Sequence, residues 1–311
     1  VQSTVVLADY GGPEKLSDVQ PFLKRIFSDR RIIDLPTIFR LPLAFLISRL
    51  RSSKSREIYG KINGSPVNQT VSEMCRVLNE KQGFLHFEPG FRYAAPFFHE
   101  TVKKAAENGR VLVLPTFPHY SFSSYGSLED AVADLKNVRL AKPYYNNDTF
   151  SKLLSAKIRK ILDEPGPGPA AILLTAHSIP KSTVLKGDPY IGQVKTQAAG
   201  IGAQFPDVPV RLSFQSPLGP VKWVGPFLEE SVRVLVENGI RRLVIVPLSF
   251  TVDNSETLFE LDLFLREFAG KIGIEQVDRV SCFNDDVPFL DFLLEFADNQ
   301  FRELESDENR L

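Results

Sequence analysis

Short runs of β-branched and other apolar residues alternate along the chain with longer segments in which apolar side chains recur every three to four positions. The runs predict strands at Thr4–Ala8, Leu85–Glu88, Arg110–Pro115, Ala171–Thr175, Val208–Phe214, Arg242–Leu248 and Arg279–Cys282. The spaced patterns predict helices over Asp18–Phe27, Val71–Glu80, Glu100–Asn108, Phe150–Asp163, Gln193–Gly202, Pro226–Asn238 and Glu256–Phe268, and a terminal helix over Pro288–Leu304. Strands that are apolar at nearly every position are buried on both faces, so the alternation implies α/β architecture with parallel sheets covered by helices. A polar stretch at Lys142–Asp148 and the E-P-G-P-G-P run at Glu164–Pro169 bracket the middle of the chain. The expected organisation is two Rossmann-like, doubly wound lobes: 1–137, with a C-terminal helix at 287–311 crossing back to it, and 138–286.

At 311 residues the chain has the length of about two average domains, enough for sizeable cores. Lys+Arg 37 against Asp+Glu 38 leaves no basic field for a nucleic-acid backbone, so no nucleic-acid partner is expected. Two cysteines, Cys75 and Cys282, are too few for a disulfide framework, and no C-x-x-C pair points to zinc or an iron–sulfur cluster. That usage suits a reducing cytoplasm. The opening V-Q-S-T-V-V-L-A lacks a cationic leader. The longest hydrophobic stretch, Ile38 to Leu50, is broken by Arg40 and Pro42 and falls short of the ~20 residues that span a bilayer. Two readings of it stand: a buried helix flanked by solvated arginines, or a surface that contacts lipid peripherally.

Ligands of open parallel sheets bind beyond the carboxyl ends of the strands, so the residues that follow each strand are the candidates. There is no G-x-G-x-x-G and no P-loop, which demotes a nucleotide enzyme. Instead, aromatic and hydroxyl residues crowd these ends, in Asp9–Pro13, Phe91–Pro96, Pro115–Ser127, Ala176–Pro180, Phe214–Pro220 and Ser249–Glu256. Such a lining suits a large, flat, apolar ligand with a polar rim. Two residues stand out for proton or metal work: His177 and Glu256, each just beyond a strand of the second lobe. Taken singly, a histidine there also reads as a hydrogen-bonded structural residue, and a glutamate opening a helix as a dipole partner.

Seven segments, L-A-D-Y-G-G-P-E, Y-G-K-I-N-G-S-P, F-R-Y-A-A-P, L-P-T-F-P-H-Y-S-F-S-S-Y-G-S, T-A-H-S-I-P, F-Q-S-P-L-G-P-V-K-W-V-G-P and D-N-S-E-T-L-F-E-L-D, resemble in order the signatures of the ferrochelatases. The resemblance runs from about Leu7 to Asp286. It implies two Rossmann-like lobes with a porphyrin in the cleft between them, and insertion of Fe²⁺ as a substrate, with no permanent cofactor. By the same resemblance His177 is the active-site histidine and Glu256 the metal- and proton-handling glutamate. Tyr10, Arg92, Tyr93, Tyr120, Ser121 and Tyr125 line the porphyrin pocket, Arg30 lies near the propionates, and Trp223 is structural.

Three departures from the family pattern bear on function. Asn254 stands where the pattern has a second histidine, and Phe264 where an acidic series would continue from Glu256 and Glu260. An amide hydrogen-bonds but takes no proton; a histidine restored at 254 is expected to be neutral or to raise turnover if that position is a proton relay. Tyr10 resembles the coproporphyrin-using branch, where a phenolate ligates product iron, whereas the greasy Ile38–Leu50 segment resembles members that handle protoporphyrin IX. Both substrates stay open, as do a porphyrin- or haem-binding protein without turnover and a chelatase acting on a cobalt or sirohaem-type tetrapyrrole.

Overall fold

A computed structural model describes residues 3–81 and 84–308. The chain divides into two compact units. The first comprises residues 1–117, 121–142 and 284–311, and the second 118–120 and 143–283.

In the first unit, β1 (Ser3–Asp9), β2 (Leu85–Phe91), β3 (Val111–Pro115) and β4 (Val138–Leu140) form a parallel sheet in the order β2-β1-β3-β4. β1 is central, and Val5, Val6, Leu7 and Ala8 are almost completely buried, as a strand covered on both faces must be. A domain boundary at 137 would cut β4 from the sheet: Val138–Leu140 pairs with Val111–Val113, and the unit continues to Lys142. The C-terminal helix Val287–Glu308 belongs to this unit, where Gln300 accepts the Lys142 N–H at 3.0 Å and Asp291 pairs with Lys81.

In the second unit, β5 (Ala170–His177), β6 (Val210–Gln215), β7 (Arg242–Pro247) and β8 (Gln276–Arg279) form a parallel sheet in the order β6-β5-β7-β8. β5 and β7 supply a core of Ala171, Leu173, Leu243 and Ile245, closed by Leu261, Leu265 and Ala269 from the helix beyond β7. β8 lies three residues upstream of the Arg279–Cys282 strand expected from sequence. As an edge strand it has one paired neighbour, so the Gln-Val-Asp-Arg segment pairs with β7, the Val280 N–H makes a last bond to Ile245 O at 2.8 Å, and the chain then leaves the sheet. The helix expected over Glu256–Phe268 is instead a π-helix over Glu256–Leu265 that continues as an α-helix over Arg266–Lys271. π-helical turns are rare and concentrate at functional sites.

The Ile38–Leu50 stretch lies in a helix over Thr37–Lys61. Its buried stripe is Ala44, Ser48, Ser52, Ser55 and Tyr59, small side chains at helical spacing that pack beside the helix Val19–Ser28. Its large apolar residues point outward, Ile38 75 % exposed and Leu50 74 %, with Phe39, Leu41, Phe45 and Leu46 also exposed. The buried-helix reading is thereby corrected. Among the described residues no helix is long and apolar enough to cross a membrane.

At the carboxyl end of β1, Gly11 and Gly12 are required by space. Gly11 has φ +74°, and a Cβ on Gly12 would stand 2.0 Å from Ser65 Oγ. Beside them Asp9 is buried; burial pushes its carboxyl up to about 6 against hydrogen bonds from Thr116 and the Gly11 N–H that favour the anion. A carboxyl raised in the fold binds its proton more tightly folded than unfolded, so it favours the fold below pH 4 and costs stability as pH rises to 6. Asp9→Asn is expected to raise the melting temperature by a few degrees at pH 8 and to have lost that advantage at pH 4, measured by thermal unfolding at both pH values.

Candidate active site

β5 ends at His177, β6 at Gln215, and the π-helix opens at Glu256, so the parallel sheet of the second unit brings these three chain segments to the same end. His177 Nδ1 lies 3.0 Å from Glu256 Oε2, both side chains half-buried. With Nδ1–H donating to the carboxylate, the lone pair on Nε2 is left for a substrate. Burial alone would depress the imidazole, but the charge and hydrogen bond of Glu256, with the charge of Glu260, outweigh it and hold the His177 pKa above the ordinary value. Trp223 meets His177 edge-on at 6.3 Å and donates its indole N–H to Leu218 O at 2.9 Å.

Gln215 and Ser216 complete the arrangement, and reasoning from sequence alone did not single them out. Ser216 has φ +61°, a backbone conformation costly for a non-glycine residue. A residue before proline is ordinarily extended, so nothing in Ser216-Pro217 announces it. The conformation lets its N–H donate to Glu260 Oε1 at 2.9 Å while its hydroxyl serves Glu260 and also Glu256 Oε2, 3.2 Å away. Thr175 donates to Gln215 Oε1 at 2.6 Å and turns the amide N–H₂ toward both carboxylates. Glu256 and Glu260 thus share one face, and burial with the neighbouring Glu256 charge raises the Glu260 pKa. Among the described residues no group of three or more His, Cys, Asp or Glu side chains is arranged to hold a metal. The pair offers a metal an imidazole and a carboxylate, a weak and open donor set.

His119 shows the contrast. It lies four residues beyond the end of β3, whereas His177 is the last residue of β5; it is buried between Tyr145 and Tyr190, and burial pushes its pKa down to about 3. It stays neutral at every physiological pH.

In the first unit Tyr93 and Ser127 hydroxyls and the Arg92 guanidinium converge on Asp29, at 3.0, 2.5 and 3.0 Å. Tyr93 is buried and burial raises its phenol pKa. Ser121 and Tyr125 are also buried; Ser121 Oγ accepts the Ser123 N–H, and Tyr125 donates to Phe117 O at 3.2 Å. All three side chains are thus engaged with other protein groups. Arg92 is half-buried and Arg30 exposed, while the neighbouring Arg31 grips Asp130 bidentately at 2.7 Å. Tyr10 is half-buried against Tyr93 and Phe117 and donates its hydroxyl to Ser123 O at 2.9 Å. Tyr120, assigned to the second unit, is half-buried, and its N–H donates to Gln193 at 2.7 Å.

Solved structures place the architecture. SirB from Bacillus subtilis with Fe³⁺ matches with TM-score 0.55 at 11% identity, over 96% of this chain and 94% of that one. CbiX, the terminal enzyme of sirohaem biosynthesis in denitrifying bacteria, matches with TM-score 0.50 at 13% identity, over 96% and 99%. At such identities the likeness speaks for the fold alone: an α/β protein with two four-stranded parallel sheets, built as those structures are. The Ferrochelatase family profile covers residues 2–301. The ferrochelatase of Sulfurihydrogenibium sp. (strain YO3AOP1) is 32% identical over 94% of this chain and 97% of its own length. That of Aquifex aeolicus is 32% identical over 95% and 98%, and that of Thermosynechococcus vestitus 35% identical over 95% and 81%. The chain belongs to the ferrochelatase family, the lyases of haem biosynthesis that insert iron into a porphyrin.

Glu256→Gln removes the charge that offsets burial at His177. The His177 pKa, followed by NMR of the ring protons, is expected to fall below its value in the parent protein; an unchanged titration would show that Glu256 does not set it.

Proposed function

We propose that His177 takes the pyrrole protons and receives the incoming Fe²⁺ on Nε2, and that Glu256 balances the imidazolium while it holds Nδ1 and becomes a metal donor when that contact opens. The observation that carries this reading is the 3.0 Å contact between the two side chains at the end of β5. A free-base porphyrin must lose two N–H protons as iron enters, so the reaction needs a base on the metal's path. Nε2 of the neutral imidazole is that base, and the carboxylate on Nδ1 raises its affinity for the proton it accepts. Iron is a substrate here, and a two-donor site that binds it transiently lets it pass on to the macrocycle. Distortion of the ring, which turns the nitrogen lone pairs toward the metal, is supplied by binding energy from its periphery.

For that periphery we assign Tyr10, Arg30, Arg92 and Tyr120 as direct contacts and Tyr93, Ser121 and Tyr125 as the packing behind them. The favoured substrate is protoporphyrin IX. The Tyr10 hydroxyl is engaged in donating to the Ser123 carbonyl, which does not favour its use as an iron ligand, and the exposed apolar residues of the Thr37–Lys61 helix suit a substrate delivered from an apolar phase. That face carries Arg49 and Lys54 beside its apolar residues, with Lys24 and Arg49 over the Phe45 ring, the pattern of a segment that lies on an anionic bilayer. Peripheral membrane contact through 38–50 is part of the proposal.

Anaerobic insertion assays with Fe²⁺ and either protoporphyrin IX or coproporphyrin III test it. Protoporphyrin IX is expected to be the better substrate; a higher kcat/KM for coproporphyrin III overturns the assignment. His177→Ala should lower kcat by about 10²-fold or more with porphyrin binding retained, followed through the Soret band; undiminished turnover removes the mechanism. The insertion rate should rise with pH through a pKa above 6.5, the ordinary imidazole value, because the base must be deprotonated. In flotation with anionic vesicles the protein should rise with the lipid, and Ile38→Ser with Leu50→Ser should leave it at the bottom. Flotation unaffected by that double change excludes this face.

A further inference from the structure

The histidine of the family pattern is replaced here by Asn254, and the structure gives the amide a different task. Asn254 Oδ1 accepts the N–H of Glu256 at 2.8 Å and of Thr257 at 3.3 Å, and its carbonyl accepts the N–H of Leu258 at 2.9 Å. Thr257 Oγ1 in return accepts the Asn254 N–H at 3.0 Å. This is a reciprocal helix cap, with threonine in the place usually held by Glu or Gln, and its first bond is made to Glu256 itself. The cap is fastened in turn. Thr257 donates to Asp253 Oδ1 at 2.9 Å, Asp253 pairs with Arg279 at 2.9 Å, and Arg279 grips Asp262 at 2.8 and 2.9 Å further along the same helix. Arg279, almost buried at the end of β8, therefore ties both the lead-in and the body of the π-helix to the sheet.

We propose that Asn254 and Arg279 are positioning residues for iron insertion: the amide caps the π-helix at the backbone of Glu256, and the guanidinium anchors that cap to β8, so that the Glu256 carboxylate is presented to His177. The inference rests on reading Glu256 as the acidic partner of His177. It departs from the expectation that a histidine at 254 would be neutral or beneficial were that position a proton relay. An imidazole there would give up an acceptor engaged by two backbone N–H groups, and Asn254 is not a vacant relay position.

Asn254→Ala, Asn254→His, Asn254→Ser and Arg279→Lys in the full chain test the proposal, with two readouts. Amide hydrogen exchange at Glu256 and Thr257 reports the cap without any turnover; steady-state insertion reports KM for Fe²⁺ separately from porphyrin affinity. Asn254→Ala and Asn254→His should speed exchange at both amides by roughly tenfold and raise KM for Fe²⁺ about as much, with porphyrin affinity unchanged. Serine, which retains a side-chain acceptor suited to a helix cap, should recover most of both, and Arg279→Lys should fall between. Unchanged exchange in Asn254→Ala overturns the cap. Faster exchange with an unchanged KM for iron, or an Asn254→His protein that equals the parent in both readouts, overturns the positioning role. The His177→Ala assay judges the underlying pair on its own, so the two failures are distinguishable.

Discussion

The structure's chemistry depends on holding an imidazole beside a carboxylate in a half-buried place, where burial alone would strip the imidazolium of its charge. Burial works against the imidazolium, and the negative charges of Glu256 and Glu260 work for it; the balance leaves His177 with a raised pKa. The balance is local and geometric. It requires Glu256 at hydrogen-bond distance, and Glu256 belongs to a different chain segment, 79 residues on from His177. Everything that fixes the end of β5 relative to the start of the π-helix therefore bears on how readily the imidazole gains and gives up a proton.

Parallel pairing provides much of that fixation. Strands running in one direction place all their carboxyl ends on one side, so His177 and Gln215 are register partners at the ends of β5 and β6, and the loop beyond β7 returns to the same place. The remaining degrees of freedom are those of the loops, and there the structure uses conformations with a cost. Ser216 adopts a positive φ to direct one N–H and one hydroxyl at the two glutamates, at about 1–3 kcal/mol for a non-glycine residue. The π-helix is a second departure from the ordinary. A wider turn of about 4.4 residues, closed by i→i+5 bonds, keeps positions four apart on nearly one face, and Glu256 and Glu260 both reach Ser216.

The same contrast explains what was legible in the sequence. The alternation of apolar runs and spaced apolar positions is a property of long, repetitive segments, so the central strands and most of the helices stand within a few residues of where the pattern put them. The edge strands are less visible: Val138–Leu140 is too short to show a period, and β8 is set by pairing with β7 instead of by its own residues. His177 and Glu256 stood out because chemistry-bearing side chains at strand ends are few. Ser216 was hidden because a positive φ before proline runs against local preference, and the task of Asn254 because capping is a relation among backbone groups that a residue name does not disclose. The Ile38–Leu50 segment carried its apolar composition openly, but composition does not say which face is buried. The small residues Ala44, Ser48 and Ser52 pack inward and the large ones face out.

A base for metal insertion faces opposed demands, since it must hold a proton taken from the macrocycle and present a lone pair to the metal. A raised pKa serves the first and opposes the second, because proton and Fe²⁺ compete for the same nitrogen. In the proposed arrangement of one imidazole and one carboxylate, order of events would reconcile the two demands: arriving metal would displace a proton from Nε2 to water, and its departure into the porphyrin would free the nitrogen to take each pyrrole proton in turn and pass it to water. A closed cage of three or four ligands would end that cycle by keeping the metal. With Ser216 and Gln215 turned toward both glutamates and Asn254 engaged with the backbone, the neighbouring side chains act on the geometry of the pair without adding a third strong donor. On this account the substitution of histidine by asparagine narrows the donor set at the helix start and leaves the cycle to His177 and Glu256.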